Sequence, residues 1–408
     1  MLKAAGAMLL LALVSPVTIA AQSEPQKLAL ADALQRAERQ NLDLIAARAR
    51  RAAAEAGIRA AGQRPNPTAN FGVLRDTPHE SLFFDQPVEI GGRRGKRIEV
   101  AHEERTLTEA GIAVVERGVR RNVREAYFAL AHARGTTSRR QDALGLAQRL
   151  QEIAHARFEA GDIPQLEVTQ ADLELARAQA AVEVAQQEER VALSDLNAVL
   201  NEPAASNWDV GEALTALPPS FALEELLVKA GTSNSEIARI SQEARVQRSE
   251  TSLLQAERIP NLGLQFGVDF NSPGPGGFNY GPRGQVSMEM PIFSRNQGEI
   301  AQSKANERVL EGELAAVRRV TDARVESAYF DLEAQRTQVS LYRDKILPSS
   351  RRLAEMAEES YRVGKANILT VLGAQRDVQQ AQGDYLDSLQ AVHSAFALLE
   401  ETVGVPLD

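Results

Sequence analysis

One turn in this sequence occurs twice, and the duplication limits the folds that the chain can adopt. Gly161 returns as Gly364 at an offset of 203 residues, and an aromatic side chain, Phe158 or Tyr361, lies three positions before each glycine. Other positions repeat at this offset, namely Leu166, Val168, Ala171, Ala178 and Gln179, which recur as Leu369, Val371, Ala374, Ala381 and Gln382. Each glycine separates two long helical patterns, so the sequence predicts two equivalent helical hairpins.

The duplication extends to most of the chain. Ala126-Tyr127-Phe128 returns as Ala328-Tyr329-Phe330, and Pro65-Asn66 returns as Pro260-Asn261. We therefore expect one architecture built twice rather than two unrelated domains. The predicted parts are a signal peptide at 1–21, a first repeat at 22–205, a linker at 206–220 and a second repeat at 221–408.

The first residues have the order of features that a secretory signal needs. Met1-Leu2-Lys3 is followed by an apolar stretch from Ala4 to Val14, by Pro16 and by the small residues Ala20 and Ala21. A charged start, an apolar core and a small-residue end are typical of a cleaved signal peptide. The alternative is an anchor helix, which needs roughly 20 apolar residues without such a break. We expect export of the chain.

Composition excludes several classes of protein. The formal net charge of −9 disfavours nucleic acid as a partner, because neutralising phosphates requires a basic surface. Aromatic residues make up only 5% of the chain, and this is typical of long helices. Cysteine is absent, so we expect neither disulfides nor a lipidated cysteine, and hence no lipoprotein.

No residue pattern predicts chemistry. The five histidines are scattered without the spacing of a metal site, and they are His79, His102, His132, His155 and His393. No Ser-His-Asp set, phosphate loop or metal-hydrolase motif is present. We expect no catalytic residues, no metal site and no cofactor, and therefore not an enzyme.

The helices begin and end at recognisable residues. Asn41 and Asn234 can each cap a helix by accepting hydrogen bonds from its first N–H groups. In the first repeat, a proline-free pattern from Arg93 to Ala160 predicts a helix of about 100 Å, which turns at Gly161 and returns to about Leu200. The second repeat has the same plan, with a kink expected at Pro348.

Each repeat also carries a predicted strand hairpin, at about 67–88 and about 261–291. Apolar residues alternate strictly with polar residues and glycines after Pro260, which excludes a helix. A loop is expected over 272–282 before the second strand. The alternative is a strand pair on a soluble core, but two isolated strands are only marginally stable, whereas strands of 9–11 residues fit a bilayer.

Alternation assigns the two faces of the second hairpin. The residues expected to contact lipid are Leu262, Leu264, Phe266, Val268 and Phe270. The residues expected to line a lumen are Asn261, Gln265, Asp269, Gln285 and Glu289. Four strands cannot close, and an open edge in lipid leaves backbone groups unpaired, so we expect the chain to oligomerise. Two copies would give a filled eight-stranded barrel, and only three would leave an aqueous bore.

The repeated plan of strand hairpin and long helical hairpin resembles the TolC family of outer-membrane factors over nearly the whole mature chain. The stretches 86–94 and 291–298 resemble its CzcC-like branch, which serves heavy-metal efflux pumps. The resemblance implies a mostly α-helical fold with a pair of membrane β-hairpins, assembled as a homotrimeric α/β-barrel. It also implies a passive export duct for metal cations in the outer membrane of a Gram-negative bacterium, with a long periplasmic portion. The implied partners are a periplasmic adaptor and, indirectly, an inner-membrane proton-driven pump.

The resemblance also locates functional residues at the tips. The expected adaptor-docking residues are Phe158, Gly161, Asp162, Tyr361, Val363, Gly364 and Lys365. Relatives close the tip with aspartates after the second turn, but this chain has Thr370 and Gly373 there, which leaves Glu167 as the candidate for the tip constriction. Two alternatives stay open: a duct for drugs or other small molecules, and a soluble periplasmic coiled-coil adaptor or scaffold.

Overall fold

The computed structural model describes residues 25–73, 75, 80–211, 213–274 and 277–407, and the predicted signal peptide lies outside them. The elements of the first repeat are β1 (Gln26–Lys27), α1 (Leu30–Gln40), α2 (Leu42–Ala61), β2 (Thr68–Val73), β3 (Glu80–Val88), α3 (Arg93–Glu159) and α4 (Gln165–Leu200), and β4 (Trp208–Asp209) lies in the linker. Those of the second are α5 (Leu223–Ser233), α6 (Ser235–Ala256), β5 (Leu262–Gly274), β6 (Gly277–Met288), α7 (Gln297–Leu341), α8 (Leu347–Arg362) and α9 (Ile368–Val403).

Two asparagines start corresponding helices, as the sequence predicts. The Asn41 side chain accepts hydrogen bonds from the N–H groups of Asp43 and Leu44 at the start of α2. Asn234 does the same for Glu236 and Ile237 at the start of α6. Each asparagine thus satisfies two backbone donors that a helix start leaves unpaired.

One antiparallel sheet contains the four long strands in the order β2-β3-β5-β6. The two hairpins join through β3 and β5, so β2 and β6 are the edges of the sheet within one chain. The expected loop over 272–282 is too long, because β6 already begins at Gly277 and pairs Pro282 with Val268. Within one chain Pro282 lies on an edge strand, the usual place for a proline in a sheet.

The main core is formed by the middle of α3 and the C-terminal parts of α4, α7 and α9, together with α1, α2 and α5. Its fully buried side chains include Val123 and Leu130 of α3, Leu332 of α7 and Leu399 of α9. Beside it, Arg124 and Glu400 form an ion pair of 2.7 Å, and both side chains are almost fully buried. The short parallel pair β1–β4 ties the chain before α1 to the linker between the repeats.

The first long helix of the second helical hairpin is interrupted, whereas the corresponding helix of the first helical hairpin is continuous. Helix α3 is continuous over 67 residues although it contains five glycines. A π-helical segment, Tyr342–Ile346, separates α7 from α8, and the Leu347 N–H donates to the Tyr342 carbonyl. Pro348 follows directly, and a proline clashes with the carbonyl four residues before it and has no N–H to donate. The sequence predicts a kink at Pro348, and the structure has a widened turn in the residues directly before it.

Among the residues that the structure describes, none of the helices is both long enough and apolar enough to cross a membrane.

Candidate functional site

Both tips are closed by the same hydrogen-bonded turn. The Gly161 N–H donates to the Phe158 carbonyl (2.9 Å), and the Asp162 N–H donates to the Arg157 carbonyl (2.9 Å). At the other tip the corresponding bonds run from Gly364 to Tyr361 (3.0 Å) and from Lys365 to Ser360 (2.8 Å). This pair of bonds defines a Schellman motif, which requires a left-handed residue. Gly161 and Gly364 have φ values of 80° and 73°, as expected for that position.

The two tips pack against each other in one small core. It contains residues of α3, α4, α8, α9 and the first turn, namely Leu150, Ala154, Ile163, Val168, Ala171, Tyr361, Ile368, Val371 and Leu372. Arg376 of α9 forms an ion pair of 2.6 Å with Glu174 of α4 across the same junction. The chain therefore presents its two tips as one unit.

Tyr361 lies inside this junction. Its ring is 3% exposed, and the Arg157 guanidinium lies 4.8 Å from the ring centroid. Burial raises the pKa of the Tyr361 phenol and outweighs the opposite effect of the Arg157 charge, and the negative charge of Glu167 also raises it. Tyr361 thus holds the tips together, and its ring is not a surface that a partner can contact. Glu167 is half-buried, with one carboxylate oxygen buried and without a hydrogen-bond partner.

The outer rim of the tips is apolar and exposed. Leu166 and Leu369, which occupy the same position in the two repeats, are 65% and 54% exposed. Phe158 and Val363 are also exposed, and so are the charged side chains of Asp162 and Lys365. The repeat identified these two leucines as equivalent positions. The helical pattern alone did not show that they are exposed while Val168 and Val371 are buried. Thr370 is engaged locally, because its N–H and hydroxyl both donate to the Asn367 side chain at the start of α9.

The sheet at the opposite end of the long helices has one apolar face and one polar face. All five apolar residues assigned to β5 share a face with Leu82 and Phe84 of β3, and the rings of Phe84 and Phe266 stack with centroids 5.8 Å apart. Phe266 and Val286 on this face are 56% and 70% exposed, so no part of the described chain covers it. The apolar face is large and uncovered, as expected of a surface that meets an apolar phase or a partner.

The polar face contains three of the five residues that the sequence assigned to a lumen. Gln265, Asp269 and Gln285 share it, and the Gln265 amide donates to Asp85 of β3 at 3.2 Å. Asn261 and Glu289 lie one residue outside β5 and β6, so alternation extended both strands too far at this end. Strand ends are set by the turn into each neighbouring helix, which alternation does not register.

Basic residues below the sheet bind the ends of helices. Arg93 donates to the Glu257 and Ile259 carbonyls, both at 2.6 Å, where α6 ends. Arg94 donates to the Gly62 carbonyl at 2.7 Å, where α2 ends. Cations at helix C-termini satisfy unpaired carbonyls and stabilise the helix dipole. These arginines therefore join the start of α3 to the ends of α6 and α2.

Metal ligands do not converge in the described part of the chain. No group of three or more His, Asp or Glu side chains within it is placed to hold a metal ion. His132 and His155 each contact a single aspartate, Asp387 and Asp172 respectively, and His79 lies outside the described residues.

A family comparison matches the chain twice. The family model described as outer membrane efflux protein covers residues 33–202 and again residues 226–405. The two matches correspond to the two copies of the repeat.

Two curated relatives are resistance proteins. The cobalt-zinc-cadmium resistance protein CzcC of Cupriavidus metallidurans is 26% identical over 385 residues, which cover 92% of this chain and 90% of that protein. The nickel-cobalt-cadmium resistance protein NccC of Alcaligenes xylosoxydans xylosoxydans is 26% identical over 254 residues, 61% of this chain and 55% of that protein.

Solved structures share the fold over almost the whole length. The CusC transmembrane channel superposes with a TM-score of 0.75 at 16% identity, covering 92% of both chains. The outer membrane protein VceC of Vibrio cholerae superposes with a TM-score of 0.75 at 16% identity, covering 93% of this chain and 97% of that one. At such identity the likeness shows the fold alone.

Proposed function

The chain belongs to the outer membrane efflux protein family, and from this premise we propose that it forms the outer-membrane duct of a tripartite efflux system for heavy-metal cations. Family membership makes the chain an outer-membrane efflux protein and not an enzyme. The trimer, the cargo and the partners are parts of the proposal.

The two-faced sheet is the observation that carries the proposal. Its apolar face is uncovered, and its edge strands β2 and β6 leave backbone donors and acceptors free within one chain. In lipid such edges must be paired, so β6 of one copy meets β2 of the next. Three copies close a barrel of twelve strands, which leaves an aqueous bore, whereas the interior of an eight-stranded barrel is filled by side chains. The apolar face then contacts lipid and the polar face contacts water.

The relatives favour metal cations as the cargo. CzcC, which matches along nearly its whole length, is a cobalt-zinc-cadmium resistance protein, and NccC is a nickel-cobalt-cadmium resistance protein. A duct does not need a tight site for its cargo, because strong binding would slow release.

The tips are the proposed docking surface for a periplasmic adaptor. They lie at the far end of the long helices from the sheet and expose Phe158, Leu166, Val363 and Leu369 around two glycine turns. An adaptor that presents apolar helix ends would bury these side chains, and the charges of Asp162 and Lys365 would orient it.

Growth of a deletion strain tests the cargo. Cells without the gene should lose resistance to cobalt, zinc, cadmium or nickel, and a plasmid copy should restore it. Loss of resistance to drugs but not to metals would favour the alternative of a small-molecule duct.

Membrane fractionation tests the location independently. The protein should remain in the outer-membrane fraction after carbonate and salt washes. Release by either wash would favour the alternative of a soluble periplasmic adaptor or scaffold.

A further inference from the structure

Three residues form a row across the polar face of the sheet. Phe83 of β3, Gly267 of β5 and Arg283 of β6 lie directly opposite one another in the strand register. The Arg283 guanidinium carbon lies 5.1 Å from the centroid of the Phe83 ring. Since neighbouring strands are about 4.8 Å apart, the arginine reaches across the whole width of β5.

Gly267 leaves β5 without a side chain between the ring and the cation. A Cβ at this position would clash with the backbone of β3, at the Leu82 carbonyl oxygen and the Phe83 Cα. The strand thus has a bare backbone between the ring and the cation, and the arginine lies along the wall rather than projecting from it. Cation–π contact with Phe83 stabilises that position.

Two carboxylates flank the row on the same face. Asp269 lies two residues from Gly267 along β5, and its Oδ1 is 3.8 Å from the Arg283 Nη1. On the other side, Asp85 accepts a hydrogen bond of 3.2 Å from the neutral Gln265 amide. Asp269 therefore has a cationic neighbour, whereas the hydrogen bond to Asp85 comes from a neutral amide.

These three groups dominate the charge of the polar face. Every other polar-face residue of the described strands is uncharged, including Asn70, Ser81 and Gln285. With two carboxylates and one guanidinium, the face carries a net charge of −1 in each chain. We name Asp85, Asp269 and Arg283 the charge girdle.

We propose that the charge girdle sets the ion selectivity of the bore, with Asp85 attracting cations and Arg283 limiting that attraction by neutralising Asp269. The inference rests on the proposed function, because it needs the polar face to line an aqueous path. Charged side chains that line a pore select against ions of like charge, and a low-dielectric wall strengthens their field. The cargo class that fits this wall is a small inorganic cation.

Substitutions in purified protein in planar lipid bilayers test the proposal. Reversal potentials in a potassium chloride gradient at low ionic strength give the ratio of cation to anion permeability. Asp85→Asn should lower this ratio by about twofold or more, and Arg283→Gln should raise it by a similar factor. Glu80→Gln is the matched control, because Glu80 lies on the opposite face of the same strand as Asp85 and should leave the ratio unchanged.

A second experiment avoids any effect of substitution on assembly. The chain has no cysteine, so Gln285→Cys gives a single thiol two residues from Arg283 on the same face. A cationic thiosulfonate reagent added to the open channel should lower the ratio, and an anionic one should raise it. Val286→Cys on the apolar face is the control, and it should respond to neither reagent.

The outcomes separate the two proposals. Absence of conductance in the unmodified protein would overturn the proposed function. Normal conductance with the same permeability ratio in Asp85→Asn, Arg283→Gln and both modified forms of Gln285→Cys would overturn the girdle and leave the duct intact.

Discussion

At the scale of single residues, His393 of α9 is a buried base that the fold keeps neutral. Its ring stacks on Phe128 with centroids 3.6 Å apart, and its Nε2–H donates to the Leu214 carbonyl at 3.0 Å. Burial lowers the pKa of His393 most, the Leu214 hydrogen bond raises it and the nearby Arg124 lowers it, so the pKa falls from 6.5 to about 4. The neutral ring is therefore the form that the core accepts.

This histidine predicts a loss of stability in acid. Protonation favours the unfolded chain, so the stabilisation is complete above pH 6.5 and is lost as the pH falls toward 4. The loss should reach about 3 kcal/mol per chain, and thermal unfolding followed by circular dichroism at several pH values measures it. His393→Gln should flatten the pH dependence, whereas His102→Gln, at an exposed position, should not. Equal acid sensitivity in His393→Gln and the unmodified chain would contradict the prediction.

Gly364 predicts a local defect at one tip. A Cβ at this position meets no atom within 4 Å, so the cost of Gly364→Val comes from the left-handed φ and not from a clash. That cost is on the order of 1–3 kcal/mol, which is too small to unfold the chain. We expect normal amounts of protein in the outer membrane, but weakened crosslinking to the adaptor and weakened metal resistance.

Gly373 provides the control for this variant. It also has free space around it, but it lies within helix α9, so Gly373→Ala should be tolerated or slightly stabilising. Full adaptor crosslinking by both Gly364→Val and Gly161→Val would move the docking surface away from the tips.

Among the elements, strand β5 tests the two faces of the sheet. Because successive residues lie on opposite faces, we expect neighbouring positions to differ in their tolerance of a charged substitution. If the apolar face contacts lipid, Phe266→Arg should destabilise the assembled protein by roughly 2–4 kcal/mol at mid-bilayer depth. Gln265→Arg, one residue away on the polar face, should be tolerated. The fraction of heat-resistant oligomer on a gel measures both variants. Equal losses would show that the faces are assigned incorrectly.

The elements also show where sequence reasoning succeeds. The limits of α3 are predicted almost to the residue, because proline is absent and the glycine turn at 161 is unambiguous. The extent of β6 is not predicted, because Pro282 and the surrounding glycines are typical of loops. Their strand conformation depends on pairing with Val268 of β5.

Side-chain environments at the tips were predictable only in part. The repeat located the turns and their left-handed glycines, but burial of Tyr361 depends on α3 and α4 of the other hairpin, roughly 200 residues away in sequence. The arginines below the sheet posed the same difficulty. Their partners are carbonyls at the ends of α2 and α6, which only the assembled fold brings close to them.

For the whole molecule, we expect only weak binding of metal ions. A passive duct functions best when its cargo leaves quickly, and no described cluster offers three ligands to one ion. Titration of zinc, cobalt or copper into purified protein should show no stoichiometric site. A sub-micromolar site in calorimetry that disappears with His155→Gln would contradict this prediction and would give the protein a role in capturing metal.

The interruption between α7 and α8 gives the two hairpins different mechanics. Helix α3 is continuous and therefore stiff, whereas the second helical hairpin can bend at Tyr342–Ile346, which directly precedes the 16-residue helix α8. A lever of that length is about 24 Å, so a bend of about 10° at the joint displaces the second tip by roughly 4 Å. Because the two tips share one core, such a displacement must either move the end of α3 as well or pull the Tyr361 ring away from Arg157. Any movement of one tip relative to the other therefore disturbs the contacts of Tyr361.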